Sequence, residues 1–96
     1  SFGTKSENPN LKPVLDELLT SDGCEIHLRE CQAYVGDAKA FQYGNLVKAG
    51  RERQETVIGV LRVDESKANY VVQMGIPKGE EIQLNGNDWI IVIAED

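Results

Sequence analysis

The chain has 96 residues, 41% of them hydrophobic and 27% charged. That is the size of one domain and the composition of an ordinary globular one. The formal net charge of −6 disfavours nucleic acid and anionic membrane surfaces, which both call for a basic patch. No apolar run approaches the roughly 18 residues of a membrane-spanning helix, so no direct membrane insertion is expected.

The opening SFGTKSENPN is polar and reads as a disordered leader, residues 1–10, with a single domain over residues 11–96. Asn10 suits a helix N-cap. Leu11, Val14, Leu15, Leu18 and Leu19 follow at helical spacing. Pro13 falls in the first turn, where it is tolerated, and Gly23 suits the position just past the helix end. CEIHLREC then alternates. Cys24, Ile26 and Leu28 face one way and Glu25, His27 and Arg29 the other, the pattern of a half-buried strand. AYVGDAKA reads as a loop turning at Gly36 and Asp37. From about Ala40 to Arg53 the spacing predicts a second helix, with Ala40, Tyr43, Leu46 and Val47 on one stripe. Gly44 and Gly50 weaken it by about 1 kcal/mol each relative to Ala, which close packing against a sheet would explain.

TVIGVLRV is β-branched and apolar on both faces as far as Arg62. DESKAN is a turn. YVVQMGIP is a strand with Tyr70, Val72, Met74 and Ile76 on one side. A short IQL follows, flanked by the turns KGEE and NGND, and WIIVIAE is the last strand. The expected fold class is therefore α+β: a small, mainly antiparallel sheet of four to five strands packed with two helices. TVIGVL and WIIVIA, apolar on both faces, are expected at its centre, with both faces covered. Two helices cover one face; a second copy of the chain is the economical cover for the other, so a homodimer through the sheet face is expected.

Chemistry-bearing residues are sparse. Cys24 and Cys31, seven positions apart on an extended segment, are too distant to bond to each other and read as reduced thiols. They do not converge with His27 into a metal site, because Cys24 and His27 point to opposite faces. His27 has no Ser or Cys beside it that it could activate. DESKANY and NGND lack the acid pattern of a calcium loop, and none of the nine glycines forms a phosphate-binding motif. No metal, no catalytic residue and no enzymatic activity are expected.

The order of the pieces carries a resemblance. EIHLRE, a Gly-Asp loop, FQYGNLVKAGRERQETVIGVLR and IQLNGNDWIIVIAED together resemble the C-terminal lobe of regulator-of-potassium-conductance (RCK) domains, also called TrkA-C. The matching strands are VIGVLR, Val57 to Arg62, and the closing Leu84 to Val92. LDELLTSDGCEIHLR, VKAGRERQETVIGV and VIAED are more similar still to the cytosolic C-terminal part of CASTOR- and POLLUX-type ion channels and their bacterial relatives. The resemblance runs from about Leu11 to Asp96. Two departures stand out. Asn87 replaces the usual Gly before the Asp of the last turn, where a left-handed backbone would favour Asn next. MGIPKGEE replaces an Asn-Pro-Pro stretch.

The resemblance implies a cytoplasmic regulatory and dimerising lobe of a cation or potassium channel or uptake system. Its partners would be a second copy, an N-terminal RCK lobe and the membrane pore of the parent protein. It implies no bound cofactor in this part of the chain, but allows a small regulatory ligand. Were that ligand anionic, Arg29 and Arg62, followed by His27, are the candidate contacts, being polar residues on otherwise apolar strands. The alternative is a free-standing protein-interaction module without a ligand.

Overall fold

The computed structural model describes residues 23–64 and 66–95. The leader and the leucine-rich segment expected as a first helix lie outside the described residues. The chain runs β1 (Cys24–Glu30), α1 (Gln32–Val35), β2 (Ala40–Gln42), α2 (Tyr43–Glu52), β3 (Thr56–Asp64), β4 (Asn69–Met74), β5 (Glu81–Gln83) and β6 (Trp89–Glu95). Four strands form one sheet in the order β1-β6-β3-β4, and β2 and β5 form a separate two-stranded sheet. All pairings are antiparallel. The fold is α+β, as the sequence predicts, with the strands divided four and two.

The two strands without polar faces, β3 and β6, take the two interior positions. Trp89, Ile90, Ile91 and Val92 are all buried. They contribute to two cores, one on each side of the sheet. On the first side Ile90 and Val92 join Val57, Val60, Leu46 and Tyr43, beneath α2 and the small sheet. On the second side Trp89 and Ile91 join Ile26, Leu28 and Leu61. Ile26, Leu61 and Ile91 are fully shielded within one chain. Burying a side chain of that size is worth about 1.5–3 kcal/mol. No described helix contributes an apolar side chain to this second cluster.

Ordinary alternation would put Val57 and Val60 on opposite faces. A register shift between Val57 and Gly59 against β6 inserts one extra residue, a β-bulge, so both reach the first core. Gly59 lies on β3 against the backbone of β4. A Cβ there would stand 2.3 Å from the Gln73 carbonyl oxygen, which only glycine allows. Gly50 on α2 meets the expectation of close packing: a Cβ would stand 2.6 Å from Val57 Cγ2.

Two boundaries differ from expectation. Helix α2 begins at Tyr43, not near Ala40. Residues Ala40–Gln42 are instead strand β2, because Phe41 pairs with Ile82 and both are buried in the first core. Helical periodicity cannot see that long-range pairing, and Gln42 is extended (φ −78°, ψ 143°) where the helix starts. The expected loop after β1 also contains the short helix α1, ending at Gly36 with φ 63°. Its Tyr34 and Val35 pack against the first core. No described helix is long and apolar enough to cross a membrane.

Candidate functional site

Two clefts separate the candidate arginines. Arg62, on β3, lines a cleft of about 600 Å³ with Asp64, Val71, Asn85, Asn87 and Asp88. Arg29, on β1, lines another of about 510 Å³ with Arg53, Gln54, Glu55 and Glu95. His27 lines neither; its Nε2 lies 3.8 Å from Glu25 Oε2. The structure therefore does not bring the three residues into one site.

The Arg62 cleft is built by the turn before β6. Asp88 is buried at 2% exposure. Its Oδ1 accepts the Val63 N–H at 3.0 Å and its Oδ2 accepts the Asn85 N–H at 2.8 Å. One carboxylate thus satisfies two backbone donors and ties the turn to β3. This answers the substitution at the preceding position. Asn87 has no left-handed backbone, because the Asp88 side chain, not a positive φ, shapes the turn. Above it, Arg62 Nε donates to Gln73 Oε1 at 2.8 Å and its Nη1 donates to the Gln83 carbonyl at 2.9 Å. It bridges β3, β4 and β5. Both partners are neutral acceptors, so the guanidinium charge is not cancelled by them. Asp64 is engaged by Ser66, whose hydroxyl donates to Oδ1 at 2.6 Å. The cleft presents one cation, the Asp64 and Asp88 carboxylates and the Asn85 and Asn87 carboxamides.

The Arg29 cleft is a different arrangement. Arg29 Nε and Nη2 both donate to Glu55 Oε2, at 3.1 and 2.9 Å. The Tyr34 hydroxyl donates to Glu55 Oε1, and Arg53 Nε lies 3.4 Å from that same oxygen. The Arg53 guanidinium also stacks over the Tyr34 ring, 4.9 Å from its centroid. The Glu55 side chain is 7% exposed. Burial acts to raise its pKa, but the hydrogen bonds from Tyr34 and Arg29 and the two guanidinium charges outweigh it and hold it below the usual value. Burial, then the Glu55 hydrogen bond and charge, push the Tyr34 hydroxyl up to about 12. Arg29 is thus committed to an internal carboxylate. The cluster staples β1, α1 and the α2–β3 junction together, and one carboxylate serves both guanidinium groups.

Sequence reasoning missed Glu55 and Asp88. Glu55 lies 26 positions from Arg29 and 21 from Tyr34, a separation without any local pattern. Asp88 was legible only as a turn residue. Among the described residues no group of three or more His, Cys, Asp and Glu converges on a metal position.

No model of a known protein family matches the chain. Over 63 residues it is 30% identical to Probable ion channel CASTOR of Oryza sativa subsp. japonica. The matched stretch takes in 66% of this chain but 7% of that protein. The chain therefore shares a region with a far larger protein described as a probable ion channel.

Proposed function

We propose that this domain is a regulatory lobe of a cation channel or potassium-uptake system, of the TrkA-C type. In this reading it lies in the cytoplasm, joined through a companion RCK lobe to a membrane pore, and pairs with a second copy. It performs no catalysis. A small ligand binds one state of the lobe more tightly than another, and the resulting shift in orientation is passed to the pore. The observation that carries the channel assignment is the 63-residue similarity to Probable ion channel CASTOR. The small α+β architecture, with two interior strands and a polar cleft at their turn end, is compatible with it.

The cleft around Arg62 is the better ligand position, because Arg62 meets neutral partners whereas Arg29 is held by Glu55. A thermal-shift screen of the chain with nucleotides, cyclic dinucleotides, calcium and potassium salts tests the sensing half. One class should raise the melting temperature, and Arg62→Ala should abolish that rise. No shift with any of them would remove ligand sensing. Membrane-spanning segments encoded elsewhere in the same reading frame are expected; a full reading frame without them would overturn the channel assignment.

A further inference from the structure

The four-stranded sheet has two outer edges, and they are built differently. β1 carries Glu25, His27, Arg29 and Glu30, and its Arg29 is tied into the Glu55 cluster. Charged side chains of this kind are how proteins protect an edge from pairing with another chain. β4, at the opposite edge, reads NYVVQM and has no charged residue or proline. No described strand pairs with its outer side. Among the described residues, the exposed large hydrophobic side chains are all on it: Val71 at 43%, Val72 at 38% and Met74 at 45%.

We infer that β4 is a pairing edge for a second copy of this chain, joining two four-stranded sheets into one continuous antiparallel sheet. Self-complementarity identifies the occupant. A two-fold axis perpendicular to the sheet places two β4 strands antiparallel, with residues that face the same side opposite each other. Centred on Val72, this sets Val72 against Val72 and Tyr70 against Met74, a thioether-to-aromatic contact. Tyr70 packs on the second core beside Leu61, and Leu61 registers with Val72. Pairing therefore continues that apolar face from one copy into the next. The uncharged strand also lets two chains of net charge −6 meet without opposing charges on β4 itself. This deepens the pairing half of the reading above. It moves the contact from the sheet face, whose Ile26, Leu61 and Ile91 are already shielded within one chain, to the sheet edge.

Sedimentation at tens of micromolar tests it. The chain should run at twice the 10.6 kDa of one copy. Val72→Lys should run at the mass of one copy with an unchanged circular-dichroism spectrum. Met74→Lys, at another exposed site, should do the same and stands in if Val72→Lys does not fold. Hydrogen exchange should be slow at the outward β4 amides in the natural chain and fast in the lysine variants. A monomeric natural chain would overturn the inference. So would a folded Val72→Lys or Met74→Lys protein that stays dimeric. Neither result touches the ligand screen or the channel assignment, and failure of the screen leaves the pair intact.

Discussion

Glu55 shows how one side chain can hold several elements. Its carboxylate collects Arg29 from β1, Tyr34 from α1 and Arg53 from the end of α2. In the folded chain it gives up its proton more readily than in the unfolded chain. Its stabilising contribution is therefore present above the unfolded carboxylate pKa and is lost as pH falls through the lower folded value. The melting temperature should drop as the solution is acidified through that range, and Glu55→Gln should flatten the drop. An unaltered acid profile in Glu55→Gln would mean that the cluster contributes nothing. Asp88 acts at the other end of the sheet. Asp88→Ala leaves the Val63 and Asn85 amides without their acceptor. Because the cleft admits water, the cost should be about 2 kcal/mol, measured by urea denaturation. Both residues were hard to find from sequence because their partners are set by tertiary register, not by spacing.

β6 is the element on which both cores depend. Its first four residues are buried, and successive side chains enter opposite clusters. Ile91→Asp puts an unpaired carboxylate into the second core, whose other members are all apolar. The cost of several kcal/mol approaches the whole stability of a small domain, about 5–15 kcal/mol. The variant should be unfolded by circular dichroism; a folded one would show that β6 is not central. The two-sided apolarity of WIIVIAE was legible at once, since a strand buried on both faces needs no alternation. The Ala40–Gln42 segment was not. It has a helical stripe on its own, but the fit of Phe41 against Ile82 outweighs local propensity.

At the scale of the molecule, Arg62 links three strands and both sheets through neutral acceptors. Both bonds are exposed, so Arg62→Ala should cost about 1 kcal/mol and leave the fold intact by circular dichroism. Its effect should appear instead in any ligand-induced thermal shift. Loss of folding would assign Arg62 a structural role alone. The sequence grouped Arg62 with Arg29 and His27 because all three interrupt apolar strands. The fold separates them, placing Arg62 on an inner strand and the other two on an edge strand two positions away across the sheet.

The sequence by itself determined which strands lie inside, because only burial on both faces accommodates TVIGVL and WIIVIA. It also determined the α+β class, through alternating segments interspersed with helical spacing, and the close approach at Gly50. Tertiary structure alone decided where charges are spent. Glu55 neutralises Arg29 across 26 positions, while Arg62 meets only an amide and a carbonyl. It also decided which apolar residues stay at the surface. Tyr70, Val72 and Met74 alternate as any half-buried strand does; only the strand order, with no described strand beyond β4, leaves Val72 and Met74 at an exposed edge.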